Sequence, residues 1–303
     1  ITMTNIGAHL VRFGRYAEAR TELQRAREIF EHSVGVDHPL TAHALNAMAG
    51  CAVREFGFER GRALFEQVVD IRERALHPRH LQVADALANL GGVLTDLDRN
   101  DEARTVLRRA LSILEEHRGT EHPDLGGALL NLADAERHSG NIERAERLVG
   151  RATALWEEHF GPDHPELIYA LRVTGEIHME RGRTQAAIEV VERARALDSK
   201  ARQDPAFRAE LDFLLARALW NADRDPIRAR ILAQDAMEVL QGFESFPASR
   251  REPIGRWLAE REAEQGDEHP GRRPRVADAR ALPTAGGTDR ASAGPGPRRP
   301  GPR

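Results

Sequence analysis

The 303-residue chain holds a single cysteine, Cys51, so no disulfide can form within it, and a reducing cytoplasmic setting is expected. Aromatic residues amount to only 5% of the chain, so a binding surface built from it must draw its affinity mainly from polar contacts. No apolar run approaches the roughly 18 residues that a membrane span requires. Lysine is almost missing as well: Lys200 stands alone among arginines, the bias that a GC-rich coding sequence produces. Reaction chemistry leaves no signature, since the chain has no Gly-rich phosphate loop, no G-x-S-x-G elbow, no H-E-x-x-H pair and no Cys–His nucleophile pattern. These absences predict a noncatalytic protein with no cofactor.

What the chain does have is a period. His38, His80, His122 and His164 recur every 42 residues, and seven residues after each comes a leucine, Leu45, Leu87, Leu129 or Leu171. The histidines lie about one repeat apart, too far for the ~2 Å bonds of a shared ion, so no metal site is predicted. A unit of this length holds two helices and cannot bury its apolar face without a neighbour. Small residues recur where helices must approach closely, at Gly7, Ala49, Gly91, Ala133 and Gly175, and again at Ala19, Gly61, Ala103, Ala145, Ala187 and Ala229. Larger apolar residues keep the same register at Leu23, Phe65, Leu107, Val149 and Val191, and at Ile29, Ile71, Ile113, Leu155 and Leu197, and are expected to pack between helices.

Within one unit, Val83, Leu87, Leu90, Leu94 and Leu97 follow helical steps, a turn falls at Asp98-Arg99-Asn100, and Ala103, Val106, Leu107, Ala110, Ile113 and Leu114 continue as a second amphipathic helix. Units open with Asp37-His38-Pro39, Glu121-His122-Pro123 or Asp163-His164-Pro165, so the histidine reads as part of a helix cap and the proline as the first helical residue. Repeat three opens with His80-Leu81 and lacks the proline.

On these residues the chain resembles the tetratricopeptide repeat, in the 42-residue variety of kinesin light chains and their bacterial relatives, over roughly 1–241. The bulky aromatics common in the shorter form of that repeat are replaced here by Leu87 and Leu94. The resemblance implies an all-α, right-handed superhelical solenoid of antiparallel helix pairs. Five to six repeats are expected, with hairpins at about 1–32, 39–75, 81–117, 123–159, 165–199 and a degenerate sixth at 205–241. Ile254, Trp257 and Leu258 lie at helical spacing and predict a capping helix within 242–265. From 266 to 303, 14 of 38 residues are Gly or Pro and eight are Arg, which predicts a disordered tail. The register places Met3 under Leu45, so the first helix is expected to begin before Ile1 and the chain to be part of a longer polypeptide.

In such an array the first helices of successive units line a concave groove. Matching the register places Asn5, Arg12, His43, Asn46, Arg54, Asp85, Asn89, Asp96, Asn131, Asp134, His138, Tyr169, Glu176 and Glu180 along it. Asn5, Asn89 and Asn131 share one repeat position, and a row of amides, each both donor and acceptor, can hold the backbone of an extended peptide whatever its sequence. The resemblance implies the same, since this asparagine position contacts bound peptides in tetratricopeptide proteins. Arg12 and Arg54 give way along the groove to Asp85, Asp96, Asp134, Glu176 and Glu180, which predicts a bipolar or basic ligand and binding that weakens with salt.

The expected function is therefore a protein-interaction scaffold that takes an extended peptide or a partner helix. The tail clusters Arg272-Arg273-Pro274-Arg275 and Arg298-Arg299-Pro300 carry charge without interleaved aromatics, so specific nucleic-acid recognition is not expected. A second resemblance offers an alternative. The stretches 213–220 and 257–260 look like the closing repeats of bacterial multidomain serine/threonine kinases, which implies a docking or regulatory part of a signalling enzyme. No kinase motif lies in this chain itself.

Overall fold

The computed structural model describes residues 2–201, 204–242 and 248–268. Among them thirteen α-helices follow one another, twelve arranged as six antiparallel pairs. The pairs are α1 (Thr2–Arg12) with α2 (Tyr16–Val34), α3 (Pro39–Phe56) with α4 (Phe58–Ala75), and α5 (Leu81–Asp96) with α6 (Asn100–Arg118). They continue with α7 (Leu125–His138) and α8 (Ile142–Phe160), α9 (Leu167–Glu180) and α10 (Thr184–Ala201), and α11 (Pro205–Asn221) and α12 (Pro226–Gln241). The last helix is α13 (Ala248–Glu268). Each second helix packs on the first helix of the next pair, and first helices also meet directly, α1 with α3, α5 with α7, α7 with α9 and α9 with α11.

The periodic histidines cap as their position predicts. Nδ1 of His38, His80, His122 and His164 accepts the backbone N–H two residues on, at 3.1, 3.2, 3.2 and 3.3 Å. At His122 and His164 the first turn is tighter than an α-turn: Leu125 N–H reaches His122 O and Leu167 N–H reaches His164 O, both at 3.1 Å. The regular helices α7 and α9 consequently start two residues beyond the prolines, at Leu125 and Leu167. Inside a pair the chain reverses through a left-handed residue, glycine at Gly14, Gly140 and Gly182 but aspartate at Asp98 (φ 61°). Aspartate is among the few side chains that visit this region readily.

The two apolar series mate directly. A Cβ on Gly7, Gly91 or Gly175 would fall 2.5, 2.3 or 2.7 Å from a carbon of Leu23, Leu107 or Val191, the residue sixteen positions on. One member of the second series departs from expectation: Ile71, Ile113, Leu155 and Leu197 are buried, but Ile29 is 47% exposed. Ile71 packs with Ala42 and Leu45. Cys51 is buried, with Sγ 3.6 Å from Tyr16 O, and burial pushes its thiol up to about 12.

A polar joint repeats along the outer side. Arg151 reaches Glu115 (2.9 Å) and the carbonyl of Thr120 (2.7 Å), and Arg193 reaches Glu157 (2.8 Å) and the carbonyl of Pro162 (2.9 Å). Arg109 does the same with Glu73 and the carbonyl of Pro78. Each arginine ties its second helix to the preceding second helix and to the loop between the pairs.

The expected closing helix is α13, with Ile254 and Trp257 buried. The Trp257 ring meets Phe213 and Trp220 of α11 edge-on, at centroid distances of 5.9 and 5.6 Å. This helix runs to Glu268, so residues 266–268 are helical where a disordered tail was expected. The remainder of that tail, 269–303, lies outside the described residues.

Candidate functional site

The inner faces of the first helices converge on a cavity of about 480 Å³. Its walls come from α3, α5, α7, α9 and α11, joined by Phe58 of α4 and by Pro253 and Ile254 of α13. Seven of the residues singled out by register meet there: Arg54, Asp96, Asn131, Asp134, His138, Tyr169 and Glu176. Glu180 stands beside them through an ion pair with Arg137. His43, Asn46, Asp85 and Asn89 are not among the lining residues but lie earlier on α3 and α5. Asn5 is exposed on α1, and the side chain of Arg12 lies outside the described part of the structure.

The asparagine row spends part of its hydrogen-bonding capacity on the array itself. Asn89 donates from Nδ2 to Asn46 Oδ1 (3.1 Å), and Asn131 donates from Nδ2 to the carbonyl of Ala88 (2.9 Å). Each amide is thus fixed against the preceding first helix and keeps its side-chain oxygen as an acceptor. Gly92 makes room for this arrangement, since a Cβ there would stand 3.2 Å from Asn131 Nδ2.

The carboxylates do not face solvent alone. Asp134 accepts from Arg172 Nη2 (3.0 Å) and Arg137 Nε (2.9 Å), and Glu176 faces Arg217 Nη1 at 3.3 Å. Burial works against the charge of Asp134, yet Arg172 and Arg137 outweigh it and hold the carboxyl well below the usual carboxylate range. Arg172 is raised in turn: burial opposes its charge, but Asp134 and Glu210 prevail. The acidic trend read from α5 to α9 is therefore answered by Arg137, Arg172 and Arg217, and the cavity presents ion pairs in place of a one-sign field. Asp85 differs, because desolvation raises its carboxyl more than Arg72 lowers it. His43 is lowered by burial and by Arg72, which favours the neutral ring.

Register alone missed the three arginines, the aromatic wall of Phe207 and Phe213, and Glu210. Tyr169 and Phe207 form a tilted pair with ring centroids 4.8 Å apart. It also missed a contact across the array: Tyr16 Oη at the start of α2 donates to the Asp204 carboxylate at 3.0 Å, and Arg54 Nε stands 3.6 Å from the same group. Asp204 caps α11 as well, accepting the N–H of Ala206 at 3.0 Å. Among the described residues no group of three or more His, Cys, Asp or Glu side chains could hold a metal ion, and no helix is long and apolar enough to cross a membrane.

Comparison with solved structures returns helical-repeat proteins. TPR-like repeats of a Podosopora anserina kinesin light chain share 20% identity over 66% of this chain and 95% of that one, with a TM-score of 0.50. BtubC from P. vanneervenii shares 16% identity over 89% of this chain and 97% of its own (TM-score 0.54). A Rap protein solved in complex with Competence and Sporulation Factor shares 17% over 88% of this chain and 75% of its own (TM-score 0.60). At these identities the likeness is one of fold. No curated protein matches in sequence, and none of these matches supports the kinase resemblance of 213–220 and 257–260. The tetratricopeptide repeat signature matches residues 1–59, 44–116 and 124–200, well over half of the chain, and the chain belongs to that family.

Proposed function

We propose that this array is a noncatalytic scaffold that binds a short, extended peptide segment of a partner protein in its concave cavity. Tetratricopeptide arrays are in general protein–protein interaction modules, and solved arrays of this fold include a Rap protein with Competence and Sporulation Factor and Cut9 with Hcn1. The observation that carries the reading is the cavity itself, about 480 Å³ of space walled by side chains of both charges, amides and aromatics from five successive first helices.

The polar lining favours a strand over a helix, because a helix commits its backbone N–H groups to its own carbonyls. An extended segment instead offers backbone N–H groups to Asn131 Oδ1 and side chains to Tyr169 and Phe207. Because the carboxylates are already paired, the partner segment is of mixed polarity, and its binding depends only weakly on salt.

Selection from phage-displayed random linear heptapeptides, beside a helix-stapled library of the same length, tests this reading. Linear peptides should be enriched, and their Kd should rise about tenfold or more in Tyr169→Ala and in Asn131→Ala. Enrichment from the stapled library alone, or affinities indifferent to both substitutions, would refute it.

A further inference from the structure

The contact between Tyr16 and Asp204 joins residues 188 positions apart, whereas the extensive packing among the described helices runs between neighbouring or next-neighbouring elements. We propose that the Tyr16–Asp204–Arg54 contact is a latch that ties the first helix pair to the last beside the cavity, and that its release widens the cavity for a peptide. The proposal rests on the reading of the cavity as a peptide site for what the wider cavity takes, but the latch itself is a property of the free chain.

Three features make this contact a switchable joint and not part of the core. It is carried by polar side-chain tips: Tyr16 belongs to the apolar cluster of the first pair, with Ala19, Leu23 and Cys51, whereas Ala206 belongs to the separate cluster of the last pair, and no apolar cluster contains both. It is incompletely satisfied, because Arg54 Nη1 is buried without a hydrogen-bond partner while Nε stands 3.6 Å from Asp204. A buried donor left unmade favours any state that lets water reach it. It also adjoins the cavity, since Arg54 is one of its walls together with Tyr169, Phe207 and Arg172. In a solenoid each unit leans chiefly on its neighbours, so small rotations at successive joints add up, and releasing one distant contact can open the ends without unfolding a pair.

Spin labels at Ala17→Cys and Ser199→Cys in the full chain report the separation of the two sides. Both positions are exposed, and the native Cys51 is buried and stays unlabelled. Pulsed electron–electron distance measurement should give one narrow distribution in the otherwise unaltered chain. Tyr16→Phe removes only the hydroxyl, and Asp204→Ser keeps a capping oxygen for α11 while being too short to reach across. Each should move a several-fold larger fraction of molecules to longer distances, with helix content by circular dichroism unchanged. If both variants keep the narrow distribution, or if the unaltered chain is already broad, the latch is overturned. The measurement uses no peptide, so an unsuccessful peptide selection leaves its outcome intact, and an unlatched array can still prove to bind peptide.

Discussion

Gly91 lies directly against Leu107: a Cβ added there would stand 2.3 Å from Leu107 Cγ, well inside contact distance. The same small-against-large pairing joins Gly7 to Leu23 and Gly175 to Val191, so the absence of one methyl sets how closely the helices of a pair approach. Gly91→Ala is therefore expected to destabilise the array by about 1–3 kcal/mol through overpacking, despite alanine's better helix propensity. The double variant Gly91→Ala/Leu107→Val should recover part of that loss in urea denaturation, and a double variant no better than the single one would show that the space is not shared.

Glu136 is buried at 0% exposure, accepting from Arg108 at 2.9 Å and Asn141 at 2.8 Å with Arg144 at 3.2 Å. Burial works against its charge, but Asn141 and Arg108 prevail and lower its carboxyl. A depressed folded value means that the stabilisation is present above the unfolded value of about 4.3 and is lost as pH falls through the lower folded one. Glu136→Gln should cost about 1–3 kcal/mol at neutral pH and flatten the acid limb of a Tm-against-pH curve, which a thermal melt series from pH 7 to pH 2 would reveal.

The histidine caps offer a cleaner test of local structure. His38→Ala removes the acceptor for Leu40 N–H and should cost about 1 kcal/mol, whereas His38→Asn, which caps well, should cost little. Hydrogen exchange at Leu40 and Thr41 is the sensitive readout: faster exchange is expected in the alanine variant alone.

Arg109, Arg151 and Arg193 are each about 35–41% exposed at the side chain, so a single alanine substitution is worth no more than about 1 kcal/mol. The three sit at successive joints, and their joint removal acts on coupling between pairs. The triple alanine variant should unfold over a broader denaturant range than the unaltered chain, with the midpoint moving less than the width.

The period, the helix pairs, the caps and the small-against-large series were all legible, because each depends on contacts that recur at the same register in every unit. Ile29 keeps the register of the series but is exposed, so register alone does not settle burial at every member. The charge pairing of the cavity was harder to see. Arg137, Arg172 and Arg217 belong to no 42-residue series; their partners Glu180, Asp134 and Glu176 lie 43, 38 and 41 residues away. Asn46 and Asn89 are likewise 43 apart. The ion pairs show in the sequence as opposite charges about one repeat length apart, not as identical residues one repeat length apart. Nothing local announces Tyr16 and Asp204, whose meeting depends on the rotation accumulated over all the joints between them.

That dependence pins the number of repeats between the two residues. Packing between adjacent pairs is local, so splicing in or removing one 42-residue unit should leave a chain that folds. Tyr16 and Asp204 would then be carried past each other by the extra or missing rotation. The number of units between Tyr16 and Asp204 is consequently a quantity that one hydroxyl and one carboxylate measure, and duplication of a unit between them is penalised there.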